Sequence, residues 1–316
     1  MSALVRPLWS TPGAPASFGA MTATSVAIGL VQMAMAPDRT ANVAKARRAI
    51  ADAARRGARI VVLPELFASP YFCQVQDPAR FELAESVDGP TSQAIAAAAR
   101  EHGVVVVTPI FERRAPGVYH NSLVVHGPGG EPLGLYRKMH IPDDPLYYEK
   151  YYFTPGDLGF VTVPTPFATL GPLICWDQWY PEAARLVALQ GAQIVCYPTA
   201  IGWHPAEKAE FGAAQLAAWQ TVQRAHAIAN GVFVAAVNRV GHEGPAAGGL
   251  DFWGHSFVAD PFGVVLAEAG EGEETLVVPL DLGRLEDVRR NWPFFRDRRI
   301  DAYAGIASRF GGGTGG

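Results

Sequence analysis

Short apolar runs bounded by glycine or proline recur along the chain from Ser25 onward, and longer amphipathic stretches separate them. Runs of this length and composition are typical of strands that are buried on at least one face. The pattern predicts these strands: Val26–Met33, Ile60–Leu63, Val104–Ile110, Ser122–His126, Leu133–Tyr136, Thr169–Cys175, Ile194–Pro198, Val232–Asn238, His255–Ala259 and Thr275–Leu280.

The stretches between these strands have apolar positions at helical spacing. In the first, Ala46 and Ile50 lie on one stripe, and Gly57 follows as a typical residue after a helix C-terminus. The predicted helices are Asn42–Arg56, Thr91–His102, Pro181–Gln190 and Gln215–Ala229. The sequence GPGG between Ser122–His126 and Leu133–Tyr136 indicates an antiparallel hairpin, so the sheets are expected to be mixed. The fold class is therefore predicted to be α/β.

Composition does not divide the interior of the chain, and one domain is predicted over residues 25–309. Residues 1–24 are rich in Pro, Ala, Gly and Ser, which predicts a flexible extension, or an upstream start codon with the true start at Met21. The glycine-rich residues 310–316 are predicted to be a disordered tail for the same compositional reason.

Charge and residue usage exclude several classes of protein. A net charge of −4 lacks the basic surplus that nucleic-acid binding needs, and 49% hydrophobic residues are too many for a disordered scaffold. No apolar run approaches the roughly 20 residues of a membrane-spanning helix. Three widely spaced cysteines are typical of a reducing cytoplasm rather than of a disulfide framework. The histidines lack metal-ligand spacing, so a metal site is not expected. No other cofactor is expected.

Three side chains with catalytic chemistry follow predicted strands, at the strand ends where α/β proteins gather ligands. Glu65 lies among apolar residues in IVVLPELF, which suits a general base, although it could be a solvated loop acid. Lys138 in LYRKMHIPDD, taken alone, fits a surface lysine better. Cys175 precedes the helix beginning at Pro181, on a sharp turn that favours an accessible thiolate. A buried structural cysteine is the alternative.

Together these contexts resemble the nitrilase (carbon–nitrogen hydrolase) superfamily, whose members carry a Glu–Lys–Cys triad in this chain order. The resemblance extends from about Ser25 to Tyr303, and three separated signatures in the same order make it specific. Within the superfamily the chain is most similar to N-carbamoylputrescine amidohydrolases. The segments that carry this similarity are ELFASPYFCQ, YRKMHIPDDPLYYEKYYFTPGD, ICWDQWYPEAARL, QGAQIVCYPTAIGW and FFRDRRIDAY.

The resemblance implies a four-layer α-β-β-α sandwich of two mixed sheets flanked by helices. It also implies self-association as a homodimer or higher oligomer, in which the segment from Trp292 to Tyr303 crosses to the partner. The mixture of aromatic residues and arginines in that segment suits an interface.

The resemblance further implies a thiol-dependent reaction in which Cys175 attacks the carbamoyl carbon. Glu65 would move the protons, and Lys138 would stabilise the oxyanion together with a backbone N–H. The expected products from N-carbamoylputrescine are putrescine, ammonia and carbon dioxide, a step in polyamine biosynthesis from agmatine. Glu149 corresponds to a second glutamate that orients the lysine, with an ion pair to Lys150 as the alternative.

Substrate choice depends on the residues after the cysteine. Relatives that hydrolyse N-carbamoyl amino acids tend to place arginines there, because a guanidinium binds a substrate carboxylate. This chain has an acid and aromatic residues instead, which suits a cationic amine. The candidate substrate-binding residues are Trp176, Asp177, Gln178, Trp179, Tyr148 and Trp203, with Asp143, Asp144, Tyr147 and His204 as further candidates.

Two alternatives remain open at this point. The same chemistry could act on an N-carbamoyl β-amino acid or an ω-amide, and the absence of arginine from residues 176–180 argues against the first. The chain could also be a non-catalytic member of the fold, in which case the aromatic residues would only pack the domain. Retention of Glu65, Lys138 and Cys175 argues against this second alternative.

Overall fold

The structure, a computed structural model, describes residues 25–245 and 248–310. The predicted extension 1–24 and residues 311–316 of the predicted tail lie outside the described residues. The strands in the described chain are β1 (Ser25–Gln32), β2 (Ile60–Val62), β3 (Val105–Ala115), β4 (Val118–His126), β5 (Pro132–Arg137), β6 (Val163–Pro164), β7 (Thr169–Pro172), β8 (Ile194–Pro198), β9 (Gly202–Trp203), β10 (Phe233–Val237), β11 (Val240–Glu243), β12 (Leu250–Trp253), β13 (Phe257–Ala259), β14 (Val265–Glu268) and β15 (Glu274–Asp281).

The helices show the end signals that the sequence carries. Asp38 caps α1 by accepting hydrogen bonds from the N–H groups of Thr40 and Ala41, and Gly103 ends α2 in a left-handed conformation. The α-helices are α1 (Arg39–Arg55), α2 (Pro90–His102), α3 (Glu149–Tyr152), α4 (Pro181–Leu189), α5 (Lys208–Asn230) and α6 (Gly283–Asn291). A 3-10 helix at Cys175–Trp179 directly precedes α4.

The strands form two six-stranded mixed sheets and one small sheet. The first has the order β15-β1-β2-β3-β4-β5, and the second has the order β14-β13-β10-β8-β7-β6. Parallel pairs occupy the centre of each sheet, whereas the outer pairs are antiparallel. The predicted hairpin is confirmed, because β4 and β5 pair antiparallel around the GPGG turn.

Alternation along the strands divides the apolar side chains between two layers. In β2, Val62 packs into the core shared by both large sheets, where it joins Ile194 of β8. The next side chain toward the N-terminus, Val61, faces the opposite way and packs with Ile50 of α1 and Ile95 of α2. Helices α4 and α5 cover the outer face of the second sheet. The predicted four-layer α-β-β-α architecture is confirmed.

Five predicted boundaries are wrong by three or more residues: α1 begins at Arg39, β3 continues to Ala115, β4 begins at Val118, and the other two concern β7 and α5. The strand predicted as Thr169–Cys175 ends at Pro172, which places Cys175 in the 3-10 helix instead. The helix predicted to begin at Gln215 begins at Lys208. Gly212 weakens the helical pattern there, but its lack of a side chain lets the Trp203 indole approach and donate to its carbonyl at 3.0 Å.

The small sheet β11-β12-β9 is missing from the sequence prediction. Its strands have two to four residues each, too few for a two-residue alternation to be recognised. Among the described helices, none is both long and apolar enough to span a membrane.

Candidate active site

Loops at the ends of strands bring four predicted catalytic residues to one place. Glu65 follows β2, Lys138 follows β5, Glu149 begins α3, and Cys175 begins the 3-10 helix after β7. All four are buried, with Glu65 and Glu149 fully enclosed and Cys175 5% exposed. Strands from both large sheets therefore contribute to one buried polar cluster at their ends.

Lys138 is the centre of this cluster. Its Nζ donates to Glu65 Oε1 at 2.8 Å and to Glu149 Oε2 at 2.6 Å. Glu149 also accepts a hydrogen bond of 2.7 Å from the Tyr71 hydroxyl. Because Glu149 points inward to Lys138, the alternative of an ion pair with Lys150, which is exposed, does not describe this structure.

The two oxygens of Glu65 have different surroundings. Oε1 accepts from Lys138 and also from the Asn121 side-chain amide at 2.7 Å. Oε2 is buried and has no hydrogen-bond partner among the described residues. The arrangement fixes the carboxylate through one oxygen and leaves the other free to take a proton.

Burial and charge set the protonation states in the cluster. Burial acts to lower the pKa of Lys138, but the charges of Glu149 and Glu65 outweigh it, so the pKa is raised well above its usual value. Lys138 is therefore protonated at neutral pH. Burial raises the pKa of Glu149 to about 7, against the opposing effect of Lys138, and the charge of Glu65 adds to the rise.

The thiol of Cys175 lies on a strained turn. Its φ of +41° is in the left-handed region, which a residue with a side chain adopts only when its surroundings hold it there. Sγ lies 4.0 Å from the carbonyl oxygen of Ala200. Burial and then the negative charge of Glu65 raise the pKa of Cys175 well above its usual value, although Lys138 opposes them.

The expectation of a resting thiolate is therefore corrected. The position ahead of a helix does not compensate for loss of water and the nearby carboxylates, so Cys175 rests as a protonated thiol. Such a thiol needs a base before it can attack a carbon atom, and Glu65 is the carboxylate whose charge acts on it most strongly.

A cavity of about 420 Å³ opens onto Cys175. Its aromatic lining consists of Tyr147, Trp176, Trp179 and Trp253. Its polar lining includes Asp144, His204, Glu207 and Gln215. Aromatic walls with a few polar groups are typical of small-molecule sites. Within the described residues, no group of three or more His, Cys, Asp or Glu side chains could hold a metal ion.

The structure divides the predicted substrate-binding residues into two groups. Trp176 and Trp179 line the cavity, and so do the further candidates Asp144, Tyr147 and His204. The expectation is corrected for residues whose side chains are bonded inside the fold, namely Asp177, Gln178 and Trp203. The cavity lining does not include Tyr148 or Asp143 either.

Internal hydrogen bonds explain the corrections. Asp177 is fully buried, and it accepts from the Tyr136 hydroxyl and from the backbone and ring of His140, so it cannot meet a substrate cation. Gln178 accepts from the Thr199 hydroxyl. The Trp203 indole packs against Trp253 and donates to a backbone carbonyl.

Several residues of the site were missed at the sequence level. Asn121, which binds Glu65, lies 56 positions away from it on β4, and only its polarity within an apolar strand could have drawn attention to it. Tyr71 lies within the ELFASPYFCQ segment, but its hydrogen bond to Glu149 was not predicted. Glu207, Gln215 and Trp253 line the cavity from a loop, a helix and the small sheet, and no local motif marks them.

Comparison with known proteins assigns this site to a family. The sequence profile described as carbon-nitrogen hydrolase matches residues 27–290. The chain belongs to the carbon–nitrogen hydrolase family. It is therefore an enzyme that cleaves carbon–nitrogen bonds of amides.

Individual carbon–nitrogen hydrolases match over nearly their full lengths. The N-carbamoylputrescine amidase of Solanum lycopersicum is 43% identical over 88% of this chain and 93% of its own. A citrullinase of Francisella tularensis is 38% identical over 90% of this chain and 99% of its own. A crystal structure of a carbon–nitrogen hydrolase from Helicobacter pylori G27 has 46% identity and a TM-score of 0.88, covering 90% and 99% of the two chains.

Proposed function

We propose that this hydrolase converts N-carbamoylputrescine to putrescine, ammonia and carbon dioxide, as a step in polyamine synthesis from agmatine. The main support for this substrate is the charge of the cavity. Asp144 and Glu207 line it, and its described lining contains no lysine or arginine. Carboxylates and aromatic faces attract a protonated amine, whereas a substrate carboxylate would meet like charges. The identity to N-carbamoylputrescine amidases supports the same substrate.

In the proposed first step, Glu65 Oε2 takes the proton of the Cys175 thiol as sulfur attacks the carbamoyl carbon. The charge on the tetrahedral oxygen is stabilised by Lys138, which stays protonated, and by the N–H of Trp176 near the start of the 3-10 helix. Glu65 then returns its proton to the departing nitrogen, and ammonia leaves. The substrate amine remains bound to sulfur through the carbonyl group.

In the proposed second step, Glu65 removes a proton from a water molecule that attacks the same carbonyl carbon. The carbon–sulfur bond breaks, the thiol recovers its proton, and a carbamate is released. The carbamate decomposes to the free amine and carbon dioxide. Glu149 acts on this chemistry through Lys138, which it holds at 2.6 Å beside Glu65.

Citrulline is a second candidate substrate, because the F. tularensis citrullinase covers almost the whole chain. Citrulline carries a carboxylate as well as an ammonium group. The described cavity lining has no guanidinium for that carboxylate, and this favours the simpler cationic amine. An N-carbamoyl β-amino acid is disfavoured for the same reason.

Ammonia release tests the proposal when N-carbamoylputrescine, citrulline and N-carbamoyl-β-alanine are compared side by side. We expect the highest kcat/KM with N-carbamoylputrescine and no activity in Cys175→Ala. Glu207→Gln is expected to raise KM for the cationic substrate by about tenfold, equivalent to roughly 1.4 kcal/mol. Its matched control is Glu210→Gln, an exposed acid in the first turn of α5 outside the cavity lining. Preference for a carboxylate-bearing substrate would contradict the proposal.

We also propose that the enzyme is a cytoplasmic homodimer or higher oligomer. All three cysteines are free and buried, which suits a reducing compartment. Large apolar side chains are exposed along the C-terminal segment, including Trp292 at 54% and Ile300 at 73%. Leu186 and Leu189 on α4 are exposed as well. Apolar exposure of this kind is typical of surfaces that a partner covers.

A further inference from the structure

Arg239 is an arginine that the proposed reaction does not use, although it is one of the largest fully buried side chains. It lies two residues after β10, between the rings of Tyr71 and Phe252, whose centroids are 5.8 Å and 5.2 Å from its guanidinium carbon. Its ion-pair partner is Glu243 at 2.9 Å. A buried guanidinium is retained in a fold only where its hydrogen bonds compensate for lost water.

Most of those hydrogen bonds go to the turn that carries Glu65. One terminal nitrogen of Arg239 donates to the Glu65 carbonyl at 2.6 Å and to the Leu66 carbonyl at 3.0 Å, and the other reaches the Ser69 carbonyl at 3.4 Å. Leu66 has a φ of +50°, a left-handed conformation that costs a leucine roughly 1–2 kcal/mol. The guanidinium therefore holds a strained turn closed.

Glu243 extends the contact to the far end of the same turn. One of its oxygens accepts from Arg239, and the other accepts from the backbone N–H of Tyr71. The Tyr71 hydroxyl in turn donates to Glu149, which holds Lys138 against Glu65. Two routes thus connect the Arg239–Glu243 pair with the Glu65 carboxylate, one through the backbone and one through side chains.

We propose that the Arg239–Glu243 pair is a positioning unit that aligns the Glu65 carboxylate and the Tyr71 hydroxyl for the reaction at Cys175. Neither member of the pair lines the cavity. The pair therefore acts on the rate of the chemical steps and leaves substrate binding almost unchanged. This inference does not depend on which amide is the substrate.

Arg239→Lys is the first variant, because it keeps the charge and loses the planar fork that reaches several carbonyls at once. Arg289→Lys is the matched control. Arg289 is half-buried and also donates to two backbone carbonyls, those of Gly231 and Ala192, but these lie outside the site. Both variants are measured for kcat, KM, thermal midpoint and the pH dependence of kcat/KM.

We expect Arg239→Lys to lower kcat by about tenfold to a hundredfold, as small misplacements of catalytic groups do, while KM changes by less than about twofold. The acid limb of its pH profile is expected to move to higher pH, because displaced Tyr71 no longer lowers the pKa of Glu149. Arg289→Lys is expected to lose thermal stability and to keep both kcat and the pH profile. Wild-type kcat per folded molecule in Arg239→Lys would overturn the proposal, as would an equal loss of kcat in the control.

Glu243→Gln keeps the proposal testable if Arg239→Lys does not fold. It preserves side-chain volume and one carbonyl acceptor, and the bonds from Arg239 to the Glu65 turn remain available. The glutamine NH2 group cannot accept a hydrogen bond, and it must face either Arg239 or the Tyr71 N–H, both of which are donors. One of these two hydrogen bonds is therefore lost. The expected result is a smaller fall in kcat with the same shift of the acid limb. An unchanged kcat with an unchanged pH profile would overturn the proposal.

Discussion

At the scale of single residues, the site separates two functions within one carboxylate. Glu65 Oε1 is held by Lys138 and Asn121, and Oε2 is free of hydrogen bonds from the described residues. A general base needs a fixed orientation and an available lone pair, and this arrangement supplies both. The thiol beside it is protonated at rest, so proton transfer to Glu65 and attack by sulfur are expected to be one coupled event.

Glu149→Gln tests how the second glutamate contributes. The carboxyl pKa of Glu149 is about 7 in the folded protein against 4.5 for an ordinary glutamate, so between these values the folded chain binds the extra proton. The free energy of unfolding therefore falls as pH rises through this window, and removing the carboxyl group removes that fall. The free energy of unfolding of Glu149→Gln, relative to that of the wild type, is therefore expected to increase as pH rises from 4.5 to 7.

Denaturant unfolding across that pH window measures the effect. The same variant is expected to lose the inflection near pH 7 in the kcat/KM profile, because the Glu149 carboxyl group is no longer there to titrate. A stability difference between wild type and variant that is independent of pH would show that Glu149 does not titrate there.

At the scale of elements, the position of Cys175, the proposed nucleophile, depends on the turn between β7 and the 3-10 helix. Asp177 ties this turn to β5 and to the following loop, since it accepts from the Ile174 N–H at 3.0 Å, the Tyr136 hydroxyl at 2.7 Å and His140. These bonds hold Cys175 at its positive φ. Asp177, which was predicted to bind the substrate, therefore accepts hydrogen bonds that hold the Cys175 turn instead.

Asp177→Ala is expected to cost about 2–4 kcal/mol of unfolding free energy, because it leaves several buried donors unpaired. Chemical denaturation measures this cost. Glu182→Ala is the control, an exposed acid five positions along the same stretch that is expected to change stability by less than about 0.5 kcal/mol. Equal stability of the two variants would show that the Asp177 hydrogen bonds do not hold the turn.

The elements themselves were predictable to different degrees. The long central strands and helices α1, α2 and α4 carry clear periodicity and end signals, and their bounds agree within a few residues. Strands β9, β11 and β12 are too short for such a signal. Asn121 and Glu207 reach the site through tertiary packing, and no spacing along the chain encodes that contact.

At the scale of the whole molecule, the two sheets share a core and the site lies where their loops meet. The strand pattern predicted an α/β fold with mixed sheets, and the family resemblance supplied the layered arrangement of two sheets between helices. They were insufficient for the cavity wall, which combines residues from Pro142 to Trp253. The C-terminal segment from Trp292 to Tyr303 exposes large apolar side chains on the single chain, and this exposure is the basis for the proposed dimer.

Ile300→Glu tests that proposal. Ile300 is 73% exposed, so a glutamate at this position is tolerated in an isolated chain. In the proposed dimer interface the glutamate charge would be buried with no opposite charge to compensate for lost water. Light scattering is expected to give a dimer or larger assembly for the wild type and a shift toward monomer for the variant, with an unchanged circular dichroism spectrum. A monomeric wild type, or a variant with the wild-type mass, would contradict the proposed interface.

Cys175 is the proposed nucleophile of this hydrolase, and inactivation by iodoacetamide with peptide mass mapping tests this role most directly. Cys175 lines the cavity, whereas Cys73 and Cys196 are fully buried elsewhere. The fraction of activity lost is predicted to equal the fraction of Cys175 modified, and excess substrate is predicted to slow both. Full modification of Cys175 with activity retained, or inactivation that follows Cys73 or Cys196 instead, would contradict the mechanism.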